Sequence, residues 1–238
     1  MTQSQLQEQL RSLRLGHFAQ ALQQQQSQAT TYDEMSFEER LGLLAQHEIH
    51  CRQDSKVKRL LRQATLRLEA HASRLEYRAE RGLRKDKVAT LLSGQYLHRA
   101  HNIIVTGATG CGKTYFACAL ARQACEQHHT VRYYRLGQLL DELNIGHADG
   151  SYRQQLAQLA KKKLLILDDW GMEKLSARQA NDLLDVMEER YQNTSTIIAS
   201  QLPVTEWYKL IRVTPLWQMH YSTVYCTTVI ELNWLANR

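Results

Sequence analysis

The sequence predicts an α/β fold, a parallel sheet sandwiched by helices and preceded by a small all-helical domain. Three observations predict it. Gly107-Ala108-Thr109-Gly110-Cys111-Gly112-Lys113-Thr114 is a complete glycine-rich phosphate-loop pattern between the apolar run Ile103–Val105 and the helix-forming run Tyr115–Gln127. Leu164-Leu165-Ile166-Leu167-Asp168-Asp169 is an apolar run ending in two carboxylates, 55 residues beyond Lys113. From about residue 100 to 199, short apolar runs alternate with helical ones, the pattern of parallel strands joined by crossover helices.

The elements follow in order. Leu6, Leu10 and Leu13, then Phe18 and Leu22, recur at helical spacing. Gln23 to Gln28 with Thr30-Thr31 reads as a helix end and linker. Ser36-Phe37-Glu38-Glu39 is a capping box that opens a helix through Leu44 and beyond. Val57 to Ala72 continues helical, with Leu60, Leu61, Leu66 and Leu68 apolar and Lys56, Lys58, Arg59, Arg62 and Arg67 decorating it. The character changes near Arg78 and Gly82, which places a boundary between a helical domain, 1–77, and an α/β domain, 78–238. Within the second, Lys87–Arg99 is predicted helical, Leu92-Ser93-Gly94-Gln95 being part of a helix end. Then come a strand at Ile103–Val105, a helix at Tyr115–Gln127, a strand at Thr130–Leu136 and a helix at Gln138–Leu143. A loop at His147–Ser151, a helix at Tyr152–Lys161, a strand at Leu164–Leu167, a helix at Ala177–Gln192 and a strand at Thr194–Ala199 complete the pattern.

Composition narrows the class. No run of about 18 apolar residues is present and the N-terminus is polar and Gln-rich, so neither a membrane span nor a secretory leader is expected. None of the five cysteines (Cys51, Cys111, Cys118, Cys125 and Cys226) forms a C-x-x-C pair, which fits buried thiols in a reducing cytoplasm. The net charge of +6 is uneven: residues 51–87 hold 12 Lys/Arg against 5 Asp/Glu, whereas residues 1–50 hold 3 against 6. A basic segment of this kind, beside a nucleotide domain, points to the phosphate backbone of a nucleic acid, and Lys56, Lys58, Arg59, Arg62 and Arg67 are its candidate contacts.

The paired motifs point to a P-loop nucleoside triphosphatase that takes ATP and Mg²⁺. Backbone N–H groups of residues 107–114 and the positive end of the following helix cradle phosphate oxygens. Lys113 reaches the β/γ-phosphates, and Thr114 and Asp168 supply hard oxygen ligands for Mg²⁺. Asp169 stands where a base or water-orienting carboxylate belongs; being shorter than Glu, it predicts slow turnover. Gln201, at the tip of the strand after the acidic pair, is the candidate sensor of the γ-phosphate, with Ser200 as competitor.

Gly107–Thr114, Tyr134-Arg135-Leu136, Leu164-Leu165-Ile166-Leu167-Asp168-Asp169-Trp170-Gly171 and Ile198-Ala199-Ser200-Gln201-Leu202-Pro203-Val204-Thr205-Glu206-Trp207, in this order, resemble the IstB transposition helper ATPases. These are relatives of the DnaC helicase loader in the initiator clade of AAA+ ATPases. Ser36–Leu41 and Arg81-Gly82-Leu83 also resemble the family, and the likeness covers about residues 33–211. It implies an AAA+ fold, a cytoplasmic homo-oligomer, binding and bending of double-stranded target DNA, and recruitment of a transposase, with Gly107–Thr114, Asp168, Asp169 and Gln201 as site residues. A DnaC-like helicase loader and an ATP-gated DNA scaffold with little hydrolysis are the alternatives.

Residues 212–238 depart from the family pattern. Arg212, Glu231 and Arg238 are their only charged residues, where the family carries an Asp-Arg-Leu helix whose arginine serves a neighbour's ATP. Trp217–Met219, Ser222–Thr228 and Thr228–Leu232 can be back-translated in one shifted frame into the missing patterns. An out-of-frame tail is therefore expected, without that arginine or a sheet-edge strand, and with weak hydrolysis.

Overall fold

The computed structural model describes residues 2–76, 84–210 and 229–234. The chain divides into two compact units, Met1–Arg59 and Leu60–Arg238. The expected change of character at Arg78, the Arg81-Gly82-Leu83 pattern and, of the tail, residues 212–228 and 235–238 lie outside the described residues.

The first unit is helical: α1 (Gln3–Ser12), α2 (Gly16–Ser27), the short α3 (Ala29–Tyr32) and the start of α4 (Phe37–Ala64). The stretch expected to be a linker thus contains a helical turn. The predicted capping box is present, with Glu39 N–H donating to Ser36 Oγ at 3.2 Å and Ser36 N–H to Glu39 Oε2 at 2.8 Å. Glu48 is the polar centre of this unit. It is buried, and accepts from the Phe18 N–H at 2.7 Å and from Arg52 Nε at 2.6 Å.

α4 runs for 28 residues without a break and stops at Ala64, short of the expected Ala72. Thr65 takes a left-handed φ of 50°, where a β-branched residue ends the helix. Beyond it, only Ala72–Arg74 form a 3₁₀ turn. Leu60, Ala64, Ala70 and Leu75 are buried in the core that covers one face of the sheet. These residues belong with the sheet in the second unit, which begins at Leu60.

The second unit continues with α5 (Lys85–Leu92), α6 (Gln95–His98), β1 (Asn102–Gly107), α7 (Lys113–Glu126), β2 (Val131–Arg135) and α8 (Leu136–Asp149). It is completed by α9 (Tyr152–Ala160), β3 (Leu164–Trp170), α10 (Ala177–Arg190), β4 (Ser195–Ser200), α11 (Val204–Leu210) and β5 (Val229–Trp234). Gly94, at φ 78°, splits the helix expected over Lys87–Arg99 into α5 and α6. The loop expected at His147–Ser151 shrinks because α8 runs to Asp149 and ends on Gly150 in the left-handed region.

The five strands pair in parallel in the order β2-β3-β4-β1-β5. β5 flanks β1 along Asn102–Gly107, so the sheet-edge strand that the sequence reading expected to be lost is present. Alternation along the strands divides the core. Ile103, Val105, Tyr133, Leu164, Ile166 and Ile197 face α7, while Ile104, Tyr134, Leu165, Leu167 and Ile198 face α8, α9 and α10. Both faces being covered explains why these strands read as unbroken apolar runs. Arg190 is buried beneath the sheet's far end and donates to the carbonyls of Leu159, Lys162 and Ser195 and to Thr196 Oγ1. Burial lowers its pKa to about 9, which leaves the guanidinium charged at neutral pH.

Candidate nucleotide site

Strand order creates the site. β4 lies between β1 and β3, so the phosphate loop after β1, the acidic end of β3 and the tip of β4 meet at the carboxyl edge of the sheet. The loop closes onto α7 through Gly112, whose φ of 99° suits glycine, and the first N–H groups of this 14-residue helix are directed at the loop. A cavity of about 360 Å³ opens there, lined by Thr109, Gly110, Gly112, Lys113 and Thr114, by Asp168 and Asp169, and by Arg67 and Gln201.

Lys113 is buried. Its ammonium donates to the Gly107 and Ala108 carbonyls, each at 2.8 Å, and lies 3.8 Å from Cys111 Sγ, which holds the charge over the loop. Thr114 Oγ1 donates to Asp168 Oδ2 at 2.7 Å, uniting motifs 54 residues apart. A hydroxyl and a carboxylate converging in this way are hard oxygen donors, few in number, and fit Mg²⁺, which fills its other positions with water and phosphate oxygens.

The acidic pair sits on a β-bulge. Leu167 pairs with Ile198 and Trp170 with Ser200, so three steps on β3 match two on β4. Asp169 absorbs the extra residue at φ 59°, a conformation that aspartate tolerates better than most residues. Regular alternation would send neighbouring side chains to opposite faces. The bulge instead leaves Asp168 buried and turns the Asp169 carboxylate, 36% exposed, to within 3.5 Å of both Arg67 Nη1 and Arg135 Nε. The Asp169 N–H donates to Asp168 Oδ1 at 2.9 Å.

Two residues that the sequence reading treated only as strand or family pattern belong here. The Tyr133 hydroxyl donates to Asp168 Oδ2 at 2.7 Å, and burial followed by the carboxylate beside it pushes the phenol's pKa up, so it remains a donor. Arg135 pairs with Asp169. Their signal was a Tyr-Arg cluster at the carboxyl end of a predicted parallel strand. The two sensor candidates differ in their bonding. Ser200 Oγ donates to the Trp170 carbonyl at 2.9 Å and accepts from the Leu202 N–H at 3.0 Å, a structural role. Gln201 Oε1 accepts from Thr109 Oγ1 of the loop at 2.6 Å.

Of the expected DNA contacts, Lys56, Lys58, Arg59 and Arg62 are exposed on α4. At 100° per residue Lys58, Arg59 and Arg62 point away from the face of Leu60 and Ala64, whereas Lys56 lies one turn before Leu60. Arg67 is not with them: it lies beyond α4 and engages the acidic pair. Among the described residues no helix is long and apolar enough to cross a membrane.

A family model described as IstB-like ATP binding protein matches residues 8–216. The chain is 43% identical over 232 residues to a protein of Pseudomonas fluorescens named as an ATP-binding protein of insertion sequence IS1162, covering 97% of this chain and 99% of that one. It is 40% identical over 179 residues to an insertion-sequence ATP-binding protein of Sinorhizobium fredii, covering 75% of this chain and 73% of that protein. Among solved structures, AMPPCP-bound DnaA from Aquifex aeolicus matches with a TM-score of 0.58 at 18% identity over 71% of this chain, which spans about half (51%) of that protein. The DnaC helicase loader matches with a TM-score of 0.54 at 17% identity, over 74% of this chain and 99% of that one. At such identities these two likenesses show the fold, the AAA+ type of P-loop sheet. The family model ends at residue 216, short of most of 212–238, whereas the alignment to the Pseudomonas relative takes in 97% of this chain.

Proposed function

This chain belongs to the family of IstB-like ATP-binding proteins, and from that premise we propose that it is a Mg²⁺-dependent ATPase that forms a homo-oligomer on double-stranded DNA, remodels it and assists a transposase in insertion-sequence transposition. The observation that carries the enzymatic part is the 2.7 Å hydrogen bond from Thr114 to Asp168, which brings the phosphate loop and the acidic strand end into one cavity with Lys113, Asp169 and Gln201. In this reading Lys113 leaves the loop carbonyls for the β/γ-phosphates. Thr114 and Asp168 hold Mg²⁺, which neutralises charge on the phosphates when bound. Asp169 orients the attacking water, and Gln201, tied to Thr109, faces the terminal phosphate.

The exposed Lys56, Lys58, Arg59 and Arg62 of α4 support DNA as partner through its phosphate backbone. The insertion-sequence names of the relatives favour a transposase over a replicative helicase, and the buried free thiols Cys111, Cys118 and Cys125 suit a cytoplasmic site of action. The test is ATP turnover by the full chain with Mg²⁺ or EDTA, with and without duplex DNA, beside a salt titration of DNA binding at each nucleotide state. Mg²⁺-dependent turnover and salt-sensitive, ATP-coupled binding are expected. Absence of both would end the reading, and capture of a replicative helicase in preference to transposase would move it to a loader.

A further inference from the structure

Arg67 lies on the segment between α4 and the 3₁₀ turn, and that segment is pinned at both ends. Thr65 Oγ1 donates to the Tyr133 carbonyl of β2 at 3.5 Å, and the His71 N–H donates to the Tyr115 hydroxyl of α7 at 3.2 Å. The side chain reaches from this fixed base into the nucleotide cavity. Its guanidinium is 38% exposed and stands 3.5 Å from Asp169 Oδ2 and 3.9 Å from Asp168 Oδ2. A structural arginine clamp on carboxylate closes to about 2.8 Å, usually through two parallel bonds. Arg67 is therefore held near the acidic pair by charge, by one long hydrogen bond to Asp169 and by the Tyr133 hydroxyl beside it, without a close bidentate clamp.

The loading of the site changes that balance. Mg²⁺ on Thr114 and Asp168 would add positive charge beside the guanidinium and weaken its hold on the carboxylates. A nucleoside triphosphate would bring terminal-phosphate oxygens into the same cavity, whereas a diphosphate lacks them. Arg135, also 3.5 Å from Asp169, can retain that carboxylate when Arg67 leaves. Arginine suits such a transfer because its planar fork matches phosphate as well as carboxylate.

We propose that Arg67 is a cis-acting arginine that reads the terminal phosphate, resting on Asp169 with a diphosphate and transferring to the terminal phosphate of a bound triphosphate. The inference rests on the nucleotide-binding reading. It gives the chain a source of arginine at the phosphates that owes nothing to a neighbouring subunit.

The test compares the affinities of the full chain for ADP and for a non-hydrolysable ATP analogue, both with Mg²⁺, in the unaltered chain and in Arg67→Ala, Arg67→Lys and Lys113→Ala. Arg67→Ala is expected to keep ADP affinity within about twofold while the analogue binds roughly tenfold to a hundredfold more weakly, the range of a lost charge-assisted hydrogen bond. Arg67→Lys should recover only part, because it lacks the fork. An unchanged ratio of the two affinities in Arg67→Ala would overturn the proposal, and so would an equal loss of both, which marks a structural role. Retention of both affinities by Lys113→Ala would instead sink the nucleotide-site reading, and the proposal with it.

Discussion

Tyr133→Phe isolates one atom of the site. The ring is 6% exposed and packs in the core against α7, so phenylalanine keeps the packing and removes only the hydroxyl that donates to Asp168 Oδ2 at 2.7 Å. Asp168, 2% exposed, keeps Thr114 on the same oxygen and the Asp169 N–H on the other. A charge-assisted hydrogen bond contributes about 1.5–3 kcal/mol, and the carboxylate left behind is still partly satisfied, so a stability loss of about 1–2 kcal/mol is expected. The larger effect falls on the metal. Partners that orient a ligating carboxylate are worth about 10–100-fold in metal affinity, so the Mg²⁺ midpoint for binding a fluorescent ATP analogue should rise by that factor. Mg²⁺ titration at fixed nucleotide and urea denaturation read the two quantities separately. An unmoved Mg²⁺ midpoint would refute the assignment of Tyr133 as the support of Asp168. A stability loss beyond about 4 kcal/mol would show that the hydroxyl holds the core as a whole.

Three further outcomes are expected. Replacing Lys56, Lys58 and Arg59 together by Ala should weaken duplex binding alike for all sequences and reduce the slope of log affinity against log salt by about 3, roughly 0.9 per phosphate contact; an unchanged slope would remove α4 from the DNA surface. Glu48 has a pKa lowered from its ordinary 4.5, because burial, which raises it, is outweighed by Arg52 and the Phe18 N–H. Its contribution is thus present above about pH 4.5 and lost as pH falls through the depressed folded value, and Glu48→Gln should flatten that loss of helicity in circular dichroism at acid pH. Arg190→Met should cost about 3–5 kcal/mol in chemical denaturation, since three carbonyls and the Thr196 hydroxyl lose a buried donor; a loss below about 1 kcal/mol would show that water replaces the guanidinium.

Two features of the chain were legible from the residues alone because they rest on local rules. Apolar runs such as Leu164–Leu167 must be buried on both faces, and a glycine-rich loop before a helix must present N–H groups to an anion, so the parallel sheet and its phosphate loop followed from period and spacing. The capping box at Ser36 was equally local. Helix ends were less legible where a single backbone dihedral decides them, as at Thr65 and Gly94.

Tertiary structure decided what no spacing encodes. The insertion of β4 between β1 and β3 put Gln201 on the loop and assigned Ser200 to the strand end, a choice that depended on which strands become neighbours. The bulge at Asp169 turned one carboxylate of a contiguous pair toward two arginines. Arg67, read in sequence as one more charge on a basic helix, became part of the nucleotide cavity because the helix ends at Ala64 and the following segment lines that cavity with the phosphate loop. The sequence determined the chemistry available, since that resides in side chains and local backbone; the fold determined which of those groups act together, since contact between residues about a hundred positions apart exists only after the sheet has formed.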